Sequence, residues 1–414
     1  MLSLDRRSLI GGALLTPAAL ALPQMALGAT RALPPAITPA ERVARLAKAR
    51  ALMQREGLGA ILIEPGASLD YFTGVRWSRS ERLTAALIPA VGDPIIVTPF
   101  FEKPSVAESL AVNAEIRTWD EHEEPLKLVA DRLRELNIAA VPIGIEETNR
   151  FFIVDRLQAE LPKVALRNAN AVVRGCRMVK SPAEIELMQK ASDITLEAIR
   201  ETHAKLREGM TPGDISTLLE TNMVARGGSS PWALVLLGEA SAYPHGSGKP
   251  QAVKRGEVVL IDTGCAFRGY QSDISRSFVF GADASREQHR VWEQVAQGQK
   301  IAMQAAKLGA TAGSVDDAVR SAYTRWGYGP DYKLPGLSHR TGHGIGMEGH
   351  EPVNLVRGET TRLAPGMCFS NEPGIYLPGK FGIRLEDCFH MTPAGPRWFS
   401  RPPVSIDDPV GSRA

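Results

Sequence analysis

The sequence lacks the features that suit a protein to nucleic acid, to a membrane or to a disulfide scaffold. Its 48 Lys and Arg residues almost balance 46 Asp and Glu residues, giving a net charge of +2. This near balance of charge gives no reason to predict binding to nucleic acid or to an anionic surface. Four cysteines in 414 residues show no framework spacing. We interpret Cys265, Cys368 and Cys388, which lie in or beside apolar runs, as small buried hydrophobic residues. Without repeats or low-complexity tracts, a chain of this length is typical of a soluble two-domain enzyme.

The N-terminal segment is interpreted as a targeting signal and excluded from the fold. Arg6 and Arg7 precede an uncharged stretch, residues 8–30, which glycines and prolines interrupt. That composition makes a poor membrane anchor, and Ala26-Leu27-Gly28 offers small residues for cleavage. The segment, residues 1–29, resembles a twin-arginine (Tat) signal, which implies transient contact with the Tat machinery and a periplasmic or secreted protein. A disordered tail and an uncleaved anchor are the alternatives.

Four carboxylates and one imidazole in the C-terminal half stand in three distinctive segments. Asp262 and Asp273 lie in VVLIDTGCAFRGYQSDISRSF, His343 in SHRTGHGIGMEGHEP, and Glu372 and Glu386 in CFSNEPGIYLPGKFGIRLEDC. Clustered carboxylates repel one another unless they take up protons or bind a cation. Oxygen-rich ligation with one nitrogen suits Mn²⁺, Co²⁺, Fe²⁺ or Zn²⁺, and does not suit copper or thiolate sites.

The local patterns predict that these groups meet. An apolar run, residues 258–261, ends at Asp262, and a second strand-like run over residues 270–280 contains Asp273. This indicates a hairpin with the two aspartates on neighbouring strands. Residues 367–370 and 383–389 flank a turn rich in Gly and Pro, so Glu372 and Glu386 are also expected to face each other. Glycines on both sides of His343 allow close backbone packing.

These motifs resemble the pita-bread metallopeptidases, a family that includes aminopeptidase P, Xaa-Pro dipeptidase (prolidase), methionine aminopeptidase and the metal-free relative creatinase. Asp262 and Asp273 match the family's D-x-G and D-I-[ST]-R aspartates. His343 matches the histidine of G-H-G-I-G, and Glu372 and Glu386 match the glutamates of N-E-P-G and I-R-[IL]-E-D. The resemblance implies that these five residues hold two divalent metal ions per chain, manganese first, with cobalt, zinc or iron as alternatives. A homodimer is also expected.

The resemblance further implies hydrolysis of the Xaa-Pro bond at the N-terminus of a peptide by a metal-bridged hydroxide. Glu372 would act as general base as well as ligand. The histidines of the cleft, His245, His339 and His350, would bind the scissile carbonyl and stabilise the tetrahedral intermediate. Arg384 would orient a carboxylate ligand.

Strict dipeptidase specificity does not follow from the motifs. Many prolidase-like sequences place an arginine shortly after the second cleft histidine, whereas this chain has His350-Glu351-Pro352-Val353-Asn354, with Arg357 further on. The alternatives are a non-peptide metal-dependent hydrolase or lyase on the same scaffold, a creatinase-like carbon–nitrogen hydrolase, and an inactive periplasmic binding protein.

The predicted fold class is α+β, with a small α/β domain before the catalytic domain. Capping boxes at Thr38 and Ser181 mark the first helix of each, and further helices begin near Thr211 and Ser285. We expect the first helix to bury Val43, Leu46 and Met53. Short strands are predicted at residues 60–63, 85–89, 95–98 and 140–145. We assign residues 38–170 to a creatinase-type N-terminal domain and residues 178–402 to a C-terminal pita-bread domain, with a connecting segment over residues 168–180.

Overall fold

The computed structural model describes residues 33–411. The predicted targeting segment, residues 1–29, lies outside the described residues. Within the described range, every helix is too short or too polar to cross a lipid bilayer.

The N-terminal part is a six-stranded mixed sheet covered by helices. Its strands are β1 (Ala60–Ile63), β2 (Ala85–Pro89), β3 (Ile95–Pro99), β4 (Glu115–Trp119), β5 (Ile143–Ile145) and β6 (Leu166–Asn168), in the order β4-β3-β2-β1-β5-β6. Its helices are α1 (Pro39–Glu56), α2 (Ala67–Thr73), α3 (Lys103–Ser109), α4 (Pro125–Glu135), α5 (Phe151–Glu160) and α6 (Asn170–Arg177). The structure confirms an α/β arrangement here.

Both faces of this sheet are buried, because successive strand residues point to opposite sides. On β1, Ile61 and Ile63 join the core under α1, α2 and α6, whereas Ala60 and Leu62 join the core under α4 and α5. The central strand is therefore apolar throughout, as the run over residues 60–63 predicts. The strand predicted at 140–145 is shorter, since β5 begins only after Pro142, which has no N–H to donate.

Helix α1 confirms the capping box and corrects one predicted core residue. The Thr38 hydroxyl accepts from the Glu41 N–H, the Glu41 carboxylate accepts from the Thr38 N–H, and Gly57 ends the helix in a left-handed conformation. Val43, predicted to be buried, is 53% exposed. Arg45 is buried in this helix instead, because its guanidinium finds partners inside the protein.

The predicted connection over residues 168–180 is wrong in part, because it contains the two-turn helix α6. Val172, Val173 and Cys176 of this helix pack into the core beneath α1. The apolar residues at i, i+1 and i+4 have helical spacing, but the segment is too short for this periodicity to be recognised in the sequence. The link between the two halves of the chain is thus the short stretch after Arg177.

The C-terminal part places four long helices outside a set of antiparallel strands. The helices are α7 (Pro182–Lys205), α8 (Pro212–Ala225), α9 (Arg286–Ala305) and α10 (Ala312–Arg325). The strands are β7 (Ser229–Leu237), β8 (Val258–Phe267), β9 (Tyr270–Gln271), β10 (Ile274–Val279), β11 (Gly342–Gly344), β12 (Glu351–Leu355), β13 (Cys368–Asn371), β14 (Gly374–Leu377), β15 (Phe381–Arg384), β16 (Asp387–Thr392) and β17 (Gly395–Trp398). The fold class is α+β, as predicted.

These strands form one sheet in the order β10-β8-β7, with β9 beside β8, a second in the order β12-β11-β13-β16-β17, and the ribbon β14-β15. Helices α7 and α8 share a core with the first sheet, and α9 and α10 share a core with the second. The helices thus take the outer layer and the strands face one another inside. Cys176, Cys265, Cys368 and Cys388 are free and buried, which confirms the burial predicted for the last three.

A buried polar cluster joins the two halves. The Arg45 guanidinium on α1 lies 3.0 Å from the Glu184 carboxylate on α7 and donates to the Tyr270 hydroxyl at 2.8 Å. Tyr270 in turn donates to Glu184 at 2.7 Å. Each polar group therefore has a partner, which a buried charge requires.

Candidate metal centre

All nine predicted site residues line one cavity of about 750 Å³. This volume suits a small-molecule or short-peptide ligand. The lining comprises Trp232, Leu234, His245, Asp262, Asp273, His339, Arg340, His343, Gly349, His350, Val356, Glu372, Arg384 and Glu386.

Two strand pairings bring the carboxylates together. Asp262 lies within β8, and Asp273 immediately precedes β10, its antiparallel partner. Glu372 follows β13 and Glu386 precedes β16, whose pairing places Asn371 opposite Asp387. The predicted pairing is confirmed for the first acid pair, although Asp273 lies just before β10 and not within a strand. For the second pair, Glu372 and Glu386 do meet, but the predicted run over residues 383–389 is divided between β15 and β16, and the ribbon β14–β15 lies between β13 and β16.

One backbone bridge joins the two strand pairs. Ser275, the register partner of Asp262, donates its N–H to the Glu386 carbonyl at 3.2 Å and accepts from the Glu386 N–H at 3.1 Å. Its hydroxyl donates to Glu386 Oε2 at 2.8 Å. Asp262 and Glu386, 124 residues apart in sequence, become neighbours through this one serine.

Each of three carboxylates in the cluster has a buried oxygen without a hydrogen-bond partner in the described part of the chain: Asp262 Oδ1, Asp273 Oδ1 and Glu386 Oε1. Ligand atoms of these three residues lie within 4.8 Å of one another. Buried oxygens that find no protein donor carry a large desolvation cost. A cation among them would remove that cost.

His343 presents a lone pair to the same cluster. Its Nδ1 lies 3.0 Å from the Gly344 carbonyl, an acceptor, so Nδ1 carries the proton and Nε2 does not. Nε2 lies 3.3 Å from Glu372 Oε1 and 3.7 Å from Asp273 Oδ2. Burial lowers the pKa of His343, and the adjacent His350 lowers it further, so these contacts join acceptor to acceptor. Such a geometry fits a shared cation and not a salt bridge.

Close backbone packing holds His343 in place. A side chain at Gly342 would put its Cβ 2.2 Å from the Ser370 carbonyl oxygen, and one at Gly344 would put it 2.5 Å from the Glu351 carbonyl oxygen. Only glycine fits on either side of His343 because the neighbouring strands approach so closely. The Ser370 hydroxyl also accepts from the His343 N–H at 3.0 Å.

Burial and mutual repulsion act together on the acids. Burial raises the pKa of Asp273, and the nearby Asp262 and Glu372 raise it further. Burial likewise raises the pKa of Glu386, with Asp273 as the next cause. For Glu372, burial outweighs the opposing charge of Arg384 and raises the pKa to about 7. The cluster thus disfavours its own ionised form unless positive charge is added.

The donor set fits divalent cations well. Three overlapping groups each bring their ligand atoms within 4.8 Å: Asp273, His343 and His350; His343, Glu372 and Glu386; and Asp262, Asp273 and Glu386. All five predicted ligands occur among them. His350, which the sequence assigns to substrate and not to metal, also joins one group.

Arg384 orients Asp262 and not its sequence neighbour Glu386. It donates from Nη2 to Asp262 Oδ2 at 2.6 Å and from Nε to the Ser275 hydroxyl at 3.1 Å. Nη1 donates to the Pro244 carbonyl at 3.0 Å and to the Tyr376 hydroxyl at 3.2 Å. The guanidinium, 3% exposed, uses four of its five N–H donors to hold the site.

His339 has both ring nitrogens committed to protein partners. Nδ1 donates to the Arg340 carbonyl at 2.8 Å, and Nε2 accepts from the Tyr376 hydroxyl at 2.7 Å. Burial lowers the pKa of His339 to about 3, with the Arg384 charge as the second cause. In this arrangement His339 fixes Tyr376 and has no free proton for a substrate carbonyl.

His245 and His350 differ from His339 in this respect. Both are exposed at the cavity, and neither forms a hydrogen bond with a residue in the range 33–411. The His350 ring packs edge-on against His343, with centroids 4.2 Å apart. Of the three predicted cleft histidines, these two have ring nitrogens available to a ligand.

The sequence reasoning missed several residues that the cavity uses. Tyr376 connects His339 to Arg384, Ser275 supports Glu386, and Arg340 and Trp232 form part of the wall. Tyr376 stands four residues after Glu372 and Ser275 two after Asp273, so proximity to a motif was the available signal. Arg340 directly follows His339, so the same proximity to a motif residue marks it.

The sequence matches two family models in succession. Residues 45–179 match the one described as Creatinase/Prolidase N-terminal domain, and residues 186–393 match the one described as Metallopeptidase family M24.

Individual relatives are similar to this chain along most of their length. The probable dipeptidase PepE of Mycobacterium tuberculosis is 34% identical over 360 residues, covering 85% of this chain and 92% of that protein. The Xaa-Pro dipeptidase of Lactobacillus helveticus is 31% identical over 338 residues, covering 80% and 90%. The crystal structure of dipeptidase PepE from Mycobacterium ulcerans superposes with a TM-score of 0.82 at 32% identity, covering 90% of this chain and 98% of that one.

Proposed function

The chain belongs to metallopeptidase family M24, with a creatinase-type N-terminal domain before its pita-bread domain, and on that premise we propose that this peptidase hydrolyses Xaa-Pro bonds with two divalent metal ions. One observation carries the proposal: Asp262, Asp273 and Glu386 bring carboxylate oxygens within 4.8 Å of one another, and each has a buried oxygen with no hydrogen-bond donor among residues 33–411. The lone pair of His343 Nε2 points into the same cluster.

The five residues Asp262, Asp273, His343, Glu372 and Glu386 would hold the two ions. When bound, two such ions would lower the pKa of a shared water towards neutrality and so supply hydroxide. Their combined charge would offset the charge of the four carboxylates, whose mutual repulsion disfavours packing them together in ionised form. Manganese is the first candidate, because the ligand set is mostly carboxylate oxygen.

Glu372 is proposed as the group that accepts a proton. Among residues 33–411 its carboxylate accepts one long hydrogen bond, from the Ser370 hydroxyl to Oε1 at 3.4 Å, and its side chain is 14% exposed. Asp262 and Glu386, in contrast, each commit one oxygen to a close donor, Arg384 and Ser275 respectively. A carboxylate that faces the cavity without a strong partner is best placed to take up a proton.

The substrate carbonyl would be bound by His245 and His350, whose ring nitrogens are not used within the described residues. His339 is proposed to act indirectly, by accepting a hydrogen bond from the buried Tyr376 hydroxyl. Arg384 fixes both Tyr376 and Asp262. Arg384 and Tyr376 thus hold the surroundings of the cavity in position before the substrate arrives, and stabilisation of a developing oxyanion by His245 and His350 benefits from such preorganisation.

The relatives support a peptide substrate with proline after the scissile bond. One is an Xaa-Pro dipeptidase and another a probable dipeptidase. The apolar wall of Trp232, Leu234 and Val356 suits a pyrrolidine ring beside the metal ligands. The cellular setting that we propose is the periplasm or the exterior, reached by twin-arginine export, and the proposed assembly is a homodimer.

The experiment is metal analysis and peptide hydrolysis on one preparation. Protein purified without chelator is analysed for its elements, stripped with chelator, and reloaded with Mn²⁺, Co²⁺ or Zn²⁺. We expect two ions per chain and cleavage of Ala-Pro, with Ala-Ala as the control for the proline requirement. Undiminished turnover by the stripped protein would contradict the metal assignment. Equal cleavage of Ala-Ala and Ala-Pro would contradict the substrate class.

A further inference from the structure

The loop between β11 and β12 carries His350 and is held by the carboxylate of the next residue, Glu351. Glu351 Oε1 accepts from the backbone N–H groups of Met347 at 2.9 Å and Glu348 at 3.2 Å. The His350 ring forms no hydrogen bond within the described part of the chain, and its ring contact is with His343. The place of this ring at the cavity therefore depends on how the backbone of the loop is held.

Two cations from outside the loop fix the Glu351 carboxylate. Arg177 Nη2 donates to Oε1 at 2.5 Å, and Lys180 Nζ donates to Oε2 at 2.9 Å. Glu351 is 4% exposed, and a buried carboxylate requires such partners. A Cβ at Gly346 would lie 2.7 Å from Glu351 Oε2 and from Lys180 Cε. The loop can approach the carboxylate and the lysine this closely because residue 346 is a glycine.

Arg177 connects this carboxylate to the N-terminal half of the chain. It is the last residue of α6, whose apolar side chains pack into the core of that half. Its second arm, Nη1, donates at 2.9 Å to the hydroxyl of Ser68 on α2, which in turn donates to Glu146 Oε1 at 3.3 Å. A planar guanidinium that is held at both arms has a fixed direction as well as a fixed distance. Arg177 thus spans from α2 to the loop of His350.

Resting on the role of His350 in the proposed function, we propose that Arg177 is a positioning residue that sets the place of His350 at the metal cavity through Glu351. The residues that line the cavity all lie between 232 and 386, so Arg177 acts on the reaction without facing it. The N-terminal half thereby takes part in turnover, because a misplacement of about 1 Å near the reacting atoms can lower the rate by about 10²-fold.

The experiment begins with kcat and KM for Ala-Pro on metal-loaded Arg177→Gln, which removes the fork and the charge. We expect kcat to fall by about 10- to 100-fold, the usual loss when a group that orients a functional side chain is removed. KM should change less than kcat, and elemental analysis should find the metal content of wild type. Arg177→Lys should recover part of kcat, because it returns a charged donor to Glu351 without the second arm to Ser68.

Arg174→Gln is the matched control, because it makes the same change one turn earlier on α6, where the side chain pairs with Glu147 and not with the loop. Its kcat should equal that of wild type. Ser68→Ala is the mild variant, since it removes only the hydroxyl that orients the second arm of Arg177. Its kcat should fall by about 2- to 10-fold, the range for one hydrogen bond. Ser68→Ala replaces Arg177→Gln in every comparison if circular dichroism shows that Arg177→Gln does not fold.

A double-mutant cycle shows whether the effect passes through His350. Residues that act as a unit have non-additive effects, whereas independent residues have additive ones. In the His350→Ala background, Arg177→Gln should therefore leave kcat almost unchanged. A fall as large as in the wild-type background would overturn the inference, because Arg177 would then act on something other than His350. Wild-type kcat in a folded Arg177→Gln, or metal loss in that variant, would overturn it as well.

Histidine ring signals give a readout apart from turnover. Proton–nitrogen correlation spectra are recorded on Zn²⁺-loaded protein, and the His350 signal is identified by its loss in His350→Ala. It should shift in Arg177→Gln and, by less, in Ser68→Ala, which changes no charge, and it should stay in place in Arg174→Gln. This result supports the inference even if no Xaa-Pro peptide is cleaved, which would overturn only the proposed function. An unshifted His350 signal in Arg177→Gln or in Ser68→Ala would overturn the inference.

Discussion

Arg384 and Asp262 lie 122 residues apart in sequence, yet the guanidinium donates to the carboxylate at 2.6 Å inside the protein. The contact occupies Asp262 Oδ2 and leaves Oδ1 without a hydrogen-bond partner among residues 33–411. A carboxylate oxygen of Asp262 lies within 4.8 Å of one of Asp273 and one of Glu386. The ion pair therefore decides which oxygen of Asp262 is presented to a metal ion. It also links Asp262 to the hydroxyl of Tyr376.

From this contact we expect Arg384→Lys to bind metal about 10- to 100-fold more weakly, the usual effect of removing a group that orients a ligand. Lysine keeps the charge but has no fork to reach Asp262, Ser275 and Tyr376 together. Titration of the metal-free protein with Co²⁺, followed by absorbance, measures the affinity. Near-ultraviolet circular dichroism checks that the fold is retained, and unchanged affinity in a folded variant would refute the assigned role.

Metal removal is expected to lower the melting temperature. Four carboxylates buried together oppose folding when no cation is present, and a ligand that binds only the native state adds about 2.7 kcal/mol at a concentration of 100 Kd. Asp273→Asn removes one of the repelling charges. Differential scanning calorimetry with chelator and with added Mn²⁺ should show a higher melting temperature for metal-free Asp273→Asn than for metal-free wild type, and a smaller gain on adding Mn²⁺. A gain equal to that of wild type would argue against Asp273 as a ligand.

His343→Ala and His350→Ala should disturb different steps. His343 faces Glu372 and Asp273 within the buried cluster, so its loss should reduce metal content. His350 is exposed at the cavity, and its loss should reduce kcat by about 10²–10³-fold with both metals retained. Elemental analysis and kcat are measured on the same preparations. Metal loss in His350→Ala as severe as in His343→Ala would instead make His350 a ligand, which its place beside Asp273 and His343 allows.

Glu351 should make stability depend on pH in the acid range. Burial alone would raise its pKa, but Lys180 at 2.9 Å and Arg177 lower the pKa to about 2. A carboxyl whose folded pKa lies below its unfolded value of about 4.3 adds stability above that value, and the contribution is lost as pH falls towards 2. The difference in unfolding free energy between wild type and Glu351→Gln should therefore shrink as the pH falls from about 5 to about 3.

Glu348→Gln is the control for this pH series, because Glu348 pairs with the same Arg177 from a side chain that is 45% exposed. An exposed ion pair contributes about 0–1 kcal/mol, so this variant should stay close to wild type throughout. A pH-independent difference for Glu351→Gln in urea titrations would refute the assignment.

Export by the twin-arginine route remains a prediction from Arg6 and Arg7. Changing both to lysine should hold the precursor in the cytoplasm, because the machinery reads the arginine pair and not its charge alone. Fractionation followed by immunoblotting measures the distribution. Undiminished appearance of the double variant in the periplasm would indicate another route.

Much of the fold was predictable because its signals are local. The capping boxes at Thr38 and Ser181 place the first helix of each half to the residue. The apolar runs over residues 60–63 and 258–261 place two central strands. Helix α6 escaped prediction because two turns give too little periodicity, and Val43 was assigned to the core because spacing alone does not reveal that Arg45 finds buried partners.

The sequence by itself determined which groups compose the site, since residue type and motif spacing specify the acids and the histidines directly. Only the tertiary structure decided how they are used. The Ser275–Glu386 bridge, the Arg384–Asp262 pair and the commitment of His339 to Tyr376 all join residues from separate segments. Hydrogen bonds depend on distances of a few tenths of an ångström, and those distances are set by how the strands pack and not by the order of residues along the chain.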